Sequence, residues 1–248
     1  MKIGRFSVDG GDPRYGVLDG DGWVVFTGDP MFQGMETTGE RVDVAAAKLL
    51  APVIPRSKVV GIARNYEGGR GASPLVYLKP NTTVIGPGDA IQLPPVGTID
   101  HAAELVIVIG RIAKRVKAEN YADVVFGYTV GNDVSARDVI EADGEMSRGK
   151  SYDSFAPLGP VIETEFDWAA ADLSSAVNGE ERSAGNTRDM LHSVPEIIEF
   201  VSDIFTLLPG DVIMTGSPIG RGEITAGQTV DVTVDGIGTL SNPTRDRA

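Results

Sequence analysis

The sequence predicts an α+β protein dominated by strands, and three observations carry that expectation. Short apolar segments rich in valine and isoleucine recur between Gly, Pro, Asn and Asp, as in VVGIARN, LVYLKP, DVIMTG, TVDVTV and GTLSNP; this is the pattern of strands joined by turns. One stretch, SVPEIIEFVSDIFTLLPGD over 193–211, reads clearly as a helix, with apolar residues at a spacing of three and four. Strands and helices do not alternate in the regular way that a parallel βαβ sheet requires, which favours a β-rich domain with few helices.

Taken in order, residues 1–30 read as a short meander, KIGRFSV and YGVLDGDGWVVF being separated by DGGDP and broken by Asp-Gly pairs. VDVAAAKLLAP, 42–52, has helical spacing and ends at Pro52. Pro55 follows, so the chain is expected to divide into a small N-terminal β domain, 1–55, and a main domain, 56–248. HAAELVIVIG, 101–110, reads as a buried strand with Glu104 at its entrance. Side chains two apart share a strand face, so Ala102 stands beside Glu104 while His101 points the other way. FAPLGP reads as a rigid turn. In the long helix, Val194, Ile197, Ile198, Val201 and Ile204 form a core stripe, and Ser193 with Glu196 form a capping box.

Bulk chemistry narrows the function. The 248 residues carry 22 basic and 35 acidic side chains, a net charge of −13, which disfavours nucleic acid and anionic membrane as partners. With no cysteine, disulfides, thiol catalysis and cysteine-ligated zinc or iron–sulfur sites are excluded, so any metal must be held mainly by oxygen. The N-terminus lacks a signal-peptide core and no apolar run approaches a membrane span, so a cytoplasmic protein is expected. No glycine-rich phosphate loop is present, so nucleotide binding has no support.

Four polar clusters interrupt the apolar pattern: Arg64-Asn65-Tyr66 after VVGIA, Glu104, Asn132-Asp133 with Arg137-Asp138 after FGYTVG, and Lys150, Tyr152 and Asp153 before FAPLGP. Each has a plain structural reading. Glu104 reads as a strand-end acid, Asp133 as a helix cap before VSARDVIEAD, Lys150 as a surface lysine, Tyr77 and Lys79 as edge-strand residues, and Arg137 as a structural arginine.

Together and in this order the phrases KVVGIARNY, VYLKP, HAAELVIVIG, FGYTVGNDVSARD, GKSYDSFAPLGP, VNGEERSAGNT, TLLPGDVIMTGSPIG and DGIGTLSN resemble the fumarylacetoacetate hydrolase family over essentially the whole chain. The resemblance implies a mixed β-sandwich roll, a homodimer, and chemistry beside a carbonyl of a small oxo-acid or 1,3-dicarbonyl: carbon–carbon hydrolysis, decarboxylation or isomerisation. It implies catalytic roles for Lys150, Tyr66 and Arg64, substrate contacts from Asn65, Tyr77, Lys79, Ser183 and Ser217, and Mg²⁺ or Mn²⁺ ligation by Glu104 and Asp133. Such a cation would stabilise an enolate.

Departures from the family pattern are concentrated at the chemistry. Ala102 replaces the first metal glutamate, which weakens any cation site or removes it. Gly69 stands where the family places a histidine that serves as base, with Glu67 nearby. Ser183 replaces the usual glutamine, and Ser217 the usual threonine. His101 should not replace Ala102, because it faces the opposite side, and His192 reads as a packing or capping residue. Three functions therefore stay open: a family enzyme with a reduced metal site, a metal-weak or metal-free cyclase, isomerase or lyase using Lys150 and tyrosines, and a non-catalytic binder of small acids.

Overall fold

The computed structural model describes residues 1–66, 73–218 and 222–247. The N-terminal meander is as expected: β1 (Lys2–Ser7), β2 (Arg14–Asp19) and β3 (Gly22–Phe26) are followed by a one-turn helix, α1 (Pro30–Gln33), and by β4 (Thr37–Asp43). The helix expected over 42–52 is absent. The Asp43 carboxylate caps the Ala45 N–H and starts only a three-residue 3₁₀ turn, Val44–Ala46. Lys48–Leu50 then forms β5, which pairs with Arg5–Ser7 of β1. The three turn residues are exposed; a short helix with no apolar face to bury does not compete with a sheet partner.

The main body contributes β6 (Val59–Ala63), β7 (Leu75–Lys79), β8 (Val84–Ile85), β9 (Ile91–Leu93), β10 (Ile99–His101), β11 (Ala103–Ile109), β12 (Val125–Asn132) and β13 (Ser135–Ala136). Two short helices, α2 (Arg137–Asp143) and α3 (Ser147–Lys150), lead to β14 (Ala156–Glu163), β15 (Asp172–Val177) and β16 (Glu180–Asn186). After α4 (Val194–Ile204) come β17 (Val212–Met214), β18 (Gly222–Glu223), β19 (Thr229–Val234) and β20 (Gly238–Asp246).

Among the described residues these strands form three sheets. The largest runs β4-β3-β2-β1-β14-β12-β11-β17-β6-β7, with β5 beside β1 and β8 beside β14. A five-stranded sheet, β16-β15-β19-β20-β9, packs across β11 and β12, and a small β13-β10-β18 sheet lies at the end of β11. β11 explains the continuous apolar run: Leu105, Ile107 and Ile109 enter the main core, while Val106 and Val108 pack with Val59, Leu158 and Met214 on the other face. All five of these β11 residues are fully buried, each burial contributing roughly 1.5–3 kcal/mol.

The α4 capping box is present, with the Ser193 N–H donating to Glu196 Oε2 at 2.8 Å. Its stripe is buried except for Ile204, which is 54% exposed at the last helical residue. Two further expectations change. FAPLGP, read as a turn, lies at the start of β14, held by β8 and β12. Asp133 caps no helix, because α2 begins at Arg137 after Ala136. No helix among the described residues is long and apolar enough to cross a membrane.

Candidate active site

A cleft of about 570 Å³ opens where β6, β10, β11 and β12 end. Its floor begins with the period-two alternation of strands: Asp100, Ala102 and Glu104 all line it, although the chain passes from β10 to β11 at Ala102. The junction is pinned, since the Ala102 N–H donates to Asn132 Oδ1 at 3.1 Å and the Asp133 N–H to the Ala102 carbonyl at 2.9 Å. Asp133 and Glu104 are thereby brought to one floor from neighbouring strands.

Their surroundings differ. Asp133 is 2% exposed and is met by three polar groups. Lys79 Nζ lies 2.5 Å from Oδ1, Lys150 Nζ binds Oδ2, and the Tyr77 hydroxyl donates to Oδ2 at 2.6 Å. Tyr77 and Lys79 reach it together because they are two apart on β7. Gly61, opposite Tyr77 in the sheet, makes this possible: a Cβ there would lie 2.0 Å from the tyrosine ring. Lys150 sits at the end of one-turn α3, only 8% exposed, with its ammonium 4.6 Å from the Tyr77 ring centre. Burial works to raise the Asp133 carboxyl, but Lys150 and Lys79 outweigh it and hold it well below the usual carboxylate range. Lys79 is buried behind Asp133 and does not line the cleft. Burial pulls its ammonium down to about 8 against the pull of Asp133.

Glu104, also 2% exposed, accepts the Gly216 N–H at 2.7 Å and has no ion-pair partner within 4.0 Å among the described residues. Gly216 has φ +95, and a Cβ there would meet the Ile62 carbonyl at 2.9 Å, so glycine is what lets this amide face the carboxyl. Burial, reinforced by the charge of Asp133, pushes Glu104 up to about 8 against Lys150 and the Gly216 amide.

The Arg64-Asn65-Tyr66 segment forms the opposite wall. Asn65 is a brace: its Nδ2 donates to the Thr215 and His192 carbonyls, and its Oδ1 accepts the His192 backbone N–H. Arg64 is exposed at the rim in a left-handed conformation, φ 63. The Tyr66 ring is buried, its hydroxyl makes no hydrogen bond among the described residues, and burial next to Glu104 raises its pKa. Ser217 also lines the cleft. Glu67 and Gly69, on which the expectation of a missing histidine base falls, lie outside the described residues.

Three residues stand apart from this arrangement. Ser183 does not line the cleft; its hydroxyl is 2.7 Å from that of Ser175, which is 2.9 Å from His101 Nε2. His101 is fully buried, faces away from Ala102 as expected, and its Nδ1 lies 2.8 Å from the Gly222 carbonyl. Arg137 closes a two-pronged pair with Asp100, whose Oδ2 accepts Arg137 Nε at 2.7 Å. The sequence reading missed Asp100, Ser135 and the Gly216 amide. The spacing 100, 102, 104 was the signal for Asp100.

The donors present do not fit a divalent cation. Magnesium needs a near-ideal octahedron of oxygens. Here both Asp133 oxygens are engaged by ammonium groups, Ala102 offers a methyl, and among the described residues no three His, Asp or Glu side chains group to hold a metal.

Comparison with known proteins places this geometry. Residues 58–245 match the family described as fumarylacetoacetate (FAA) hydrolase C-terminal, and residues 1–52 match Rv2993c-like, N-terminal. Protein Rv2993c of Mycobacterium tuberculosis is 46% identical, with 83% of this chain and 82% of that protein covered. Oxaloacetate tautomerase YisK of Bacillus subtilis is 37% identical, with 80% and 73% covered. The crystal structure of a 5-carboxymethyl-2-hydroxymuconate delta-isomerase from Mycobacterium smegmatis superposes with a TM-score of 0.95 at 42% identity, each chain fully covered. The strand-rich α+β architecture is the mixed β-sandwich that the sequence resemblance implies.

Proposed function

The chain belongs to the fumarylacetoacetate hydrolase family, and on that footing we propose that it is an enzyme that shifts a proton beside the carbonyl of a small oxo-acid or 1,3-dicarbonyl, interconverting keto and enol forms or double-bond isomers. The observation that carries this reading is that, among the described residues, Glu104 is the cleft carboxyl left without a cation, Asp133 and Asp100 being engaged by Lys79, Lys150 and Arg137. A carboxyl raised to about 8 is matched to proton transfer near neutral pH.

In this reading ionised Glu104 takes the proton from the carbon next to the carbonyl, the electron pair moves onto oxygen, and the enolate oxygen is met by the Lys150 ammonium and the Tyr66 hydroxyl. Protonated Glu104 then returns the proton to oxygen or to another carbon. Burial keeps Tyr66 protonated, as a donor should be. Asn65 positions the wall, Tyr77 and Lys79 fix Asp133 and through it Lys150, and Arg64 and Ser217 meet the polar end of the substrate. No water is activated, which agrees with glycine at position 69. Support also comes from a tautomerase and an isomerase among the relatives. A cytoplasmic homodimer remains part of this reading; Leu75 and Leu78 on edge strand β7 are exposed apolar side chains that a partner would cover.

The test is the ultraviolet decay of enolic oxaloacetate, the acid in the name of the Bacillus relative, in EDTA. Native protein should accelerate it and Glu104→Gln should lose at least about 10²-fold, the usual loss when a general base is removed. Equal rates for the two proteins would reject the assignment.

A further inference from the structure

We propose that the Lys150 ammonium, held on Asp133 and backed by Lys79, does in this cleft the work of a divalent cation, and that the methyl of Ala102 leaves the room in which the ligand's own carboxylate completes the site. This deepens the reading above by naming what seats the ligand, and depends on it only in taking that ligand to be a small oxo-acid anion.

The argument is one of charge balance. Two ammonium groups share one carboxylate: Lys79 is 1% exposed, Lys150 8% and Asp133 2%, so these three side chains carry one positive charge more than negative, and among the described residues no second carboxylate contacts either ammonium. A buried charge is costly unless it is paired. Asp100 is closed by Arg137, and Glu104, although both ammonium groups favour its charged form, contacts neither of them within 4.0 Å. An anion entering the cleft can supply the pairing. The Tyr66 hydroxyl, on a residue only 4% exposed and without a hydrogen-bond partner among the described residues, points to the same class of ligand, because a buried donor calls for an acceptor. Position 102 decides which charge the floor accepts. Ala102 lies on the Glu104 face and lines the cleft. A carboxylate there would cancel the surplus charge, repel an anionic ligand and bring a second acid beside Glu104. A methyl does the reverse.

Calorimetry on metal-stripped protein tests this with oxalate and Mn²⁺ as probes. Native protein should bind oxalate with an affinity that EDTA changes by less than about twofold, and should not bind Mn²⁺ alone. Ala102→Glu should invert the preference, tightening Mn²⁺ by roughly 10 to 100-fold, the range over which single partners tune metal affinity, and weakening metal-free oxalate binding by at least about tenfold. Lys150→Met should weaken oxalate by about 10 to 100-fold, as expected for a lost hydrogen bond to a charged group. Oxalate binding that EDTA abolishes, micromolar binding of Mn²⁺ alone by native protein, or no oxalate binding at all would overturn the proposal. If circular dichroism shows either variant unfolded, the native titrations decide alone. Intact metal-free oxalate binding with no enol decay would reject the proton-transfer reading and leave this one standing.

Discussion

Asp133 and Glu104 come from adjacent strands, are equally buried, and live in opposite electrostatic worlds. The Asp133 side of the cleft is dense with donors, two ammonium groups and a tyrosine hydroxyl converging on one carboxylate. The Glu104 side is sparse: one backbone amide, a methyl at position 102, and a tyrosine hydroxyl with no partner among the described residues. Burial alone would raise the pKa of both acids. What separates them is partners, and the separation divides labour: Asp133 stays ionised and positions a cation, while Glu104 is free to gain and lose a proton.

The sharpest way to break the contrast is to strip the dense side. Lys79→Met removes one of the two buried ammonium partners of Asp133 and leaves the Val134 carbonyl without its side-chain donor, the Phe155 carbonyl keeping only the Val134 N–H. Lys150 still pairs Asp133, so we expect a loss of about 1–3 kcal/mol in urea-unfolding stability, the usual cost of leaving a buried acceptor unsatisfied. A loss below about 1 kcal/mol, the range of a surface pair, would mean that the cluster is not the anchor described.

A second experiment sharpens the sparse side. Glu104 has a folded-state pKa raised from 4.5 to about 8, so the folded protein holds an extra proton across that window. Its contribution to stability therefore falls as pH rises from 4.5 to about 8, by up to about 1.4 kcal/mol per pH unit for one proton, and is flat above. Glu104→Gln lacks this term. Its stability relative to native protein should rise through the same window, and a difference independent of pH would contradict the assigned environment. The terms from Asp133 and Lys79 are present in both proteins and largely cancel in the difference.

The smallest effect is expected far from both acids. Ser183→Ala removes one hydroxyl from the His101–Ser175–Ser183 chain and should cost about 0.5–1.5 kcal/mol in thermal or urea unfolding. Enol decay should keep its KM. A raised KM would return Ser183 to the substrate contacts that the family resemblance implies.

Much of the sparse side was legible in the sequence. Period two put Ala102 and Glu104 on one face and His101 on the other, and the unbroken run Leu105–Ile109 announced a strand buried on both sides. The dense side was named only through the family resemblance and not through spacing, because Lys79, Asp133 and Lys150 meet through β7, the end of β12 and α3, and no local spacing encodes that meeting. The same limit explains two misreadings. Asp133 sits where a helix cap would, but its carboxylate is claimed by lysines from elsewhere, and residues 42–52 have helical spacing, but the strand β1 offers Lys48–Leu50 a better partner.

The account turns on Glu104 moving a proton at carbon without a metal. We would follow deuterium wash-in from D₂O at the carbon beside the carbonyl of a 2-oxo acid by proton NMR, in EDTA. Exchange catalysed by native protein at one of the two prochiral positions, and lost in Glu104→Gln, is the predicted result. Exchange that requires added Mg²⁺ or Mn²⁺, or that survives in Glu104→Gln, would contradict it.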